Sequence, residues 1–380
     1  MKWTKVVLLV LVLALSLGLV AGCGGNGDGG SASNGSGGDQ PKDNEPAKKE
    51  TIRLTIGSGH PETGLTYTIT ANTFFQPEIE KRVAERTNYE IKWTEAYAGS
   101  VAKLEGVLEA VEDGLLDIGV MSFPFEPQKL YLENFPYYIP FQTPDPVQAV
   151  KISRKVMEEV PEWEATFEKY NQKFLGLGPT GPYELLTTFP VDEVADLKGK
   201  KIAAAGPNLT LLEGTGAVPV QSNLNEAYTS FQTGVYDGWI MFALPSKNFK
   251  LYEVAKYHTR VGFGAEPVQG ITINLDTWNN LPKEVQDIIS EVAAEYEVKA
   301  AQDAKDNNTI AEEFMAQNGV TVTDLPMAEK QKWAAGLPNV PDRTAKEIDS
   351  VGLPGSKAFK LYLQYLEEDG YQLPRKWEIK

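Results

Sequence analysis

The sequence holds one cysteine and two histidines in 380 residues. A single thiol excludes intramolecular disulfides. With only two imidazoles beside it, zinc ribbons, Cys/His metal sites and dithiol redox pairs are excluded as well. Acid outweighs base, 52 Asp and Glu against 36 Lys and Arg, for a formal charge of −16. No basic patch reverses that surplus locally, so the chain repels phosphate backbones and nucleic acid is excluded as a partner. Neither a Walker-type glycine loop nor a Gly-x-Ser-x-Gly elbow occurs. Beyond the N-terminal segment no apolar run reaches the ~18 residues of a membrane span. What is present is 42% hydrophobic and 10% aromatic residues, a globular composition too apolar for disorder.

The lone cysteine has a context. Lys2 and Lys5 precede a nearly unbroken apolar run from Val6 to Leu19. At about 14 residues the run is short of the ~20 that cross a bilayer, so it reads as a secretory signal. It ends in Val20-Ala21-Gly22-Cys23, which resembles the lipobox of bacterial lipoproteins. That resemblance implies a signal peptide over 1–22 and an acylated Cys23 holding the chain to a lipid bilayer. The anchored chain then sits on the outer face of the cell membrane, or on the periplasmic side in a two-membrane envelope. Residues 23–50, rich in Gly and Ser at first, read as a flexible tether.

From Thr51 onward, strand and helix patterns alternate. Ile52, Leu54 and Ile56 alternate with polar residues and stop at Gly57-Ser58-Gly59-His60-Pro61. Helical spacing follows over Phe75–Thr87 and Val101–Glu112, with strands at Tyr89–Trp93 and Leu116–Met121. The second half repeats the alternation: strands at Phe174–Leu177, Lys201–Ala205, Gly238–Phe242 and Gly270–Asn274, helices near Leu209–Gly214 and Glu226–Thr233. Such alternation predicts an α/β fold with mixed, mostly parallel sheets. Lys283 to Asn318 contains neither Pro nor Gly and carries apolar residues at helical spacing. It predicts one helix long enough to bridge two lobes, or two helices broken near Asp303–Asn308.

Several motifs then occur in order: Asp196-Leu197-Lys198-Gly199-Lys200-Lys201-Ile202, Gly216-Ala217-Val218-Pro219-Val220, and Gln232-Thr233-Gly234-Val235-Tyr236-Asp237-Gly238. Leu251–Tyr257 and Trp278–Gln286 continue the series, and Val111–Gly119 and Phe135–Phe141 extend it upstream. Together they resemble the solute-binding proteins of TRAP (tripartite ATP-independent periplasmic) transporters, the dicarboxylate-binding type, extracellular solute-binding family 7. The resemblance implies a two-lobed clam shell joined by hinge strands and the long helix. It implies no catalytic residue and no cofactor, a small organic solute held in the cleft, and delivery to membrane permease subunits. The expected first lobe is 51–178 with about 263–300 returning to it; the second is 179–262 with about 301–380. Monomer and dimer both remain open, and the tail from Val320 packs on a lobe or on a partner.

Departures from the family pattern bear on the ligand. The arginine that follows the Gly-Lys-Lys-Ile stretch in the family is Ala203 here; a second family arginine falls near Tyr183, and a family asparagine near Met241. Three readings follow. In the first, the solute is neutral, apolar or aromatic and stacks on Tyr183, Trp239 and Phe242. In the second, a carboxylate is retained and its cation has moved, with Arg260 the best substitute. In the third, a metal bridges a carboxylate through Glu62 or Glu184. His60 in its loop, Ser122-Phe123 at a strand's carboxyl end and Gln269 at the start of a hinge strand complete the candidates. The rival class is a lipid-anchored extracellular hydrolase working with carboxylates alone.

Overall fold

A computed structural model describes residues 49–380. The signal segment, Cys23 and nearly all of the tether lie outside the described residues. Among the described residues eleven strands build two sheets. In the first, β1 (Glu50–Gly57) lies between β2 (Tyr89–Ala96) and β3 (Ile118–Ser122), and is parallel to both. Beyond β3 come β10 (Gln269–Asn274) and then β4 (Gln172–Gly178), with β10 antiparallel to each neighbour. In the second, β6 (Lys201–Ala204) pairs in parallel with β7 (Val218–Gln221) and β8 (Gly238–Met241). There β5 (Pro182–Thr187) runs antiparallel to β8 and to β9 (Tyr257–Ala265), and β11 (Thr321–Asp324) closes the far edge parallel to β9. The sheets are therefore mixed, and the antiparallel pairs all involve β5 or β10, the strands that begin where the chain crosses between sheets.

Two crossings, β4 to β5 and β9 to β10, run side by side. The Thr180 N–H donates to the Glu266 carbonyl at 2.9 Å, and the Glu266 N–H donates to Thr180 Oγ1 at 2.9 Å. Gly181 is required at this crossing. A Cβ there would stand 2.9 Å from Asn308 Oδ1 and 3.0 Å from the Phe242 ring.

The third connection is the helix Lys283–Gln317, unbroken over 35 residues and so about 52 Å long. It starts after Pro282 and ends at Asn318-Gly319, where Gly319 takes φ +83°. Its first half buries Val285, Ile289, Val292 and Tyr296 toward the first sheet, and Glu297 accepts the Leu177 N–H and pairs with Arg154. Its second half reaches the second sheet, where Asn308 Oδ1 accepts the Ala243 N–H at 2.9 Å. Burial of each such apolar side chain stabilises by about 1.5–3 kcal/mol.

The structure corrects the expected elements in two places. The helix expected over Val101–Glu112 begins only at Val107, because Gly106 (φ −143°) breaks it from a 3₁₀ turn at Leu104–Gly106. The helix expected near Leu209 is a 3₁₀ run, Gly206–Leu212, entered through Pro207. The tail forms three helices, Met327–Gly336, Val340–Ser350 and Gly355–Glu368, and packs on its own chain. Trp333 donates its indole N–H to the Leu211 carbonyl at 2.7 Å and packs between Phe141 and Phe263. Trp377 donates to the Pro140 carbonyl at 3.1 Å, and the Tyr362 hydroxyl bonds Gln142. Among the described residues no helix is long and apolar enough to cross a membrane.

Candidate ligand-binding cleft

A cavity of about 40 Å³ lies beside the crossings and takes its walls from both sheets. The first sheet's side supplies His60, Leu65, Ser122, Pro124, Phe125, Tyr137 and Gln269. The second's supplies Tyr183, Ala205, Asn223, Leu224, Trp239, Met241 and Phe242. The volume suits one or two waters, far below the few hundred Å³ of a typical ligand pocket, so admission of a solute requires the walls to part. None of the lining residues is Lys or Arg.

Local sequence places each group. His60 follows β1 in the Ser58–Pro61 loop, where its N–H donates to Ser58 Oγ at 3.3 Å and its Nδ1 meets the Tyr67 hydroxyl at 2.7 Å. Its ring stands edge-on to Phe125 at 5.8 Å. Burial holds the imidazole neutral, its pKa lowered from 6.5 to about 4. Ser122 ends β3 and is paired with Gln269, the first residue of β10. Asn223 caps the nine-residue helix Leu224–Gln232, its Oδ1 accepting the Asn225 N–H at 3.0 Å.

At the hinge side, the Tyr137 and Tyr183 hydroxyls meet at 2.6 Å across the two halves. Tyr183 also stands edge-on to Phe242, 5.2 Å between ring centres. Burial pushes both phenols above their usual range. Behind them Glu266, buried in the β9–β10 crossing, accepts from Gln142; burial pushes its carboxyl well above the usual carboxylate range. Burial without a neighbouring cation is what disfavours the charged form of that carboxyl. Trp239 Nε1 is buried without a hydrogen-bond partner, and the buried Asn208 amide lies beside the Tyr183 hydroxyl.

Of the residues expected from sequence, His60, Ser122, Tyr183, Trp239, Met241, Phe242 and Gln269 come together at the cavity. The others do not. Arg260 lies elsewhere: its guanidinium pairs with Glu312 at 2.9 Å and with Asp324 at 3.4 Å on the β11 side of β9, away from the cavity. Glu184, the neighbour of Tyr183 along β5, faces away from the cavity, where its Oε2 accepts the Gly262 N–H at 2.7 Å. Glu62 stays half-buried in its loop outside the wall. The metal-bridged arrangement therefore has no ligand set, and among the described residues no three acidic, His or Cys groups gather closely enough to hold a metal. Phe123 turns into the core against Trp163 and Phe167. Ala203 is buried beside Trp239 in the sheet, and Ala205, two residues on, forms the wall instead.

Leu65, Pro124, Phe125, Tyr137, Ala205, Asn223 and Leu224 were missed. The Phe123-Pro124-Phe125 and Phe135-Pro136-Tyr137-Tyr138 clusters were a usable signal, each joining a turn-forming proline to aromatic side chains able to build a pocket wall.

Comparison with known proteins fits this architecture. Residues 70–347 match the family described as bacterial extracellular solute-binding protein, family 7. A solute-binding protein of Sulfitobacter sp. strain NAS-14.1 is 28% identical over 189 residues, 49% of this chain and 56% of that protein. The chain thus spans about half the length of curated relatives such as this one. Among solved structures, a Bordetella pertussis extracytoplasmic solute receptor binding pyroglutamic acid superposes with TM-score 0.70 at 21% identity, covering 82% of this chain and 99% of that one. A marine-metagenome TRAP solute-binding protein specific for aromatic acids, in complex with 3-hydroxybenzoate, gives TM-score 0.72 at 21% identity, covering 84% and 99%. These likenesses establish the two-lobed fold. With the family match over most of the folded residues, they lead to one assignment: the chain belongs to the bacterial extracellular solute-binding proteins of family 7.

Proposed function

We propose that the chain is the extracytoplasmic receptor of a TRAP-type secondary transporter, held to the bilayer through acylated Cys23. It captures a small, uncharged organic solute of apolar or aromatic character between its two sheets and passes it to membrane permease subunits. The lobes are 51–178 with 263–300, and 179–262 with 301–380. One observation carries the ligand class: a cavity walled from both halves by aromatic and neutral polar side chains, with no Lys or Arg in the wall. Solute touching both walls stabilises the closed form over the open one, which is all that a capture device needs. The test is thermal unfolding of the full chain with a panel of small aromatic compounds, each recovered and weighed by mass spectrometry. A raised melting temperature with the compound unchanged supports a receptor. Chemical conversion of the compound contradicts it and favours the hydrolase class.

A second reading, a monocarboxylate solute, draws on the acids bound by the pyroglutamate and 3-hydroxybenzoate receptors. In this chain its counter-charge would be a protonated His60, so its affinity would rise as pH falls. Calorimetric titration with 3-hydroxybenzoate at pH 5.5 and pH 8 checks this, and equal affinities exclude it.

A further inference from the structure

His60 sits in a ring of hydrogen bonds whose protons can be counted. Its backbone N–H donates to Ser58 Oγ at 3.3 Å. Ser58 Oγ lies 3.3 Å from the Tyr67 hydroxyl, which in turn lies 2.7 Å from His60 Nδ1. Both hydroxyls are buried, and among the described residues Ser58 Oγ has no other partner. A proton on Nδ1 would go to Tyr67 and the Tyr67 proton to Ser58, leaving the Ser58 proton with no acceptor. With Nδ1 bare, Ser58 donates to Tyr67, Tyr67 donates to Nδ1, and every proton is used. The neutral imidazole therefore carries its proton on Nε2.

His60 is 3% exposed and lines the cavity; its Nε2 bonds nothing among the described residues and is not sealed from that space. Gln269, 4% exposed, lines the same wall, and its side-chain amide also bonds nothing among the described residues. Ser122 is its cross-strand partner, so their Cβ atoms share one face of the sheet about 5 Å apart. The second half is different. Its Tyr183 hydroxyl is taken up by Tyr137, and Met241 and Phe242 bring no donor. Trp239 alone adds an indole N–H buried in the wall without an acceptor. One wall is thus polar, with a fixed N–H donor, and the other is largely apolar.

We propose that His60 selects the solute: its Nε2–H donates to an acceptor oxygen on one edge of the solute. Gln269 and Ser122 bond the same edge, and the second half closes over the apolar remainder with the Trp239 N–H as a further donor. The solute class is a small aromatic or alicyclic compound with a carbonyl-type oxygen at its edge. Ser58 and Tyr67 act as positioning residues, holding the imidazole proton on the cavity side. This deepens the receptor reading above and rests on it.

Acetophenone and α-methylstyrene are nearly isosteric and differ by a carbonyl oxygen against a methylene. Calorimetric titration of the full chain with each at pH 7.5 should show acetophenone binding about tenfold or more tighter. His60→Asn, which has no group at the Nε2 position, and Trp239→Phe should each lose about tenfold in acetophenone affinity. His60→Gln, whose amide nitrogen reaches the Nε2 position, should stay within about threefold of the parent, a rescue that a merely structural role would not give. Nitrogen-15 NMR of the unmodified chain at pH 7.5 reads the tautomer directly, because only two histidines contribute and His60→Asn identifies the signals. The proton is expected on Nε2. A proton on Nδ1, equal affinity for the two probes, no acetophenone binding at millimolar concentration, unchanged affinity in His60→Asn or Trp239→Phe, or equal loss in His60→Asn and His60→Gln overturns the proposal. The isostere comparison and the NMR spectrum need no variant to fold for binding. Those outcomes leave the receptor reading standing; chemical conversion of a probe would overturn that reading itself.

Discussion

Protonation of His60 opposes folding, and the size of the effect follows from its surroundings. The ring is 3% exposed, packed edge-on to Phe125, with Nδ1 on the Tyr67 hydroxyl and no carboxylate bonded to it. Its pKa falls from 6.5 to about 4 on burial. Between those values the unfolded chain binds a proton that the folded chain refuses. Stability is therefore fully present above about pH 6.5 and is lost as pH falls toward 4. At pH 4.5 the loss from this one group is about 2.5 kcal/mol, at about 1.4 kcal/mol per pH unit. The perturbation is His60→Asn, which keeps a polar atom near the Nδ1 position and does not titrate. Urea unfolding of both proteins at pH 7 and pH 4.5 gives four stabilities, and the change with pH in each isolates the histidine from carboxylates common to both. The variant should lose about 2 kcal/mol less than the parent between the two pH values. Equal losses would refute the argument that burial keeps His60 neutral in the cleft.

Three further outcomes follow. Glu184 is buried with its pKa raised to about 8, so its protonated form is the folded one and its contribution is lost as pH rises from 4.5 toward 8. Glu184→Gln keeps an acceptor for the Gly262 N–H, and scanning fluorimetry should show it several degrees more stable at pH 8 and unchanged at pH 4. Tyr183→Phe strands the buried Tyr137 hydroxyl and should cost about 1–2 kcal/mol in chemical unfolding, with part recovered in the double variant Tyr137→Phe/Tyr183→Phe. Arg82 ties the helix Gln76–Arg86 to Glu291 and Glu295 of the long helix, both at 2.7 Å. Arg82→Ala should cost about 1 kcal/mol at low salt and less in 1 M salt, and a loss insensitive to salt would count against an electrostatic role.

The α/β alternation and the long helix were legible because period-2 and period-3.6 patterns are local. Ile52-Leu54-Ile56 and the Pro- and Gly-free stretch from Lys283 announce themselves within a few turns. Ser122, at the carboxyl end of β3, was legible for a related reason: α/β sheets present ligands beyond their carboxyl ends. The ion pairs that hold Arg260 were not legible because its partners are distant in sequence. Glu312 comes from the long helix and Asp324 from β11, and neither is tied to β9 by any local pattern. Phe125 and Tyr137 were missed because they sit in 3₁₀ turns whose placement depends on packing. The Asn134 amide, donating to the Phe123 and Leu130 carbonyls at 2.9 and 2.7 Å, holds that loop, and nothing in the sequence names those acceptors. The tail helices gave weak signals because their burial comes from Trp333, Tyr362 and Trp377 reaching back onto the 135–142 loop and the 3₁₀ run before Glu213.

The central claim is that a cation-free cleft between the two sheets selects an uncharged solute. The most direct test is to purify the full chain from its native host under non-denaturing conditions, denature it, and identify the released small molecule by mass spectrometry. One uncharged organic compound per chain, displaced from the cleft in the Trp239→Phe variant, is the result predicted here. A carboxylic acid released in the same stoichiometry, and retained by that variant, would contradict it.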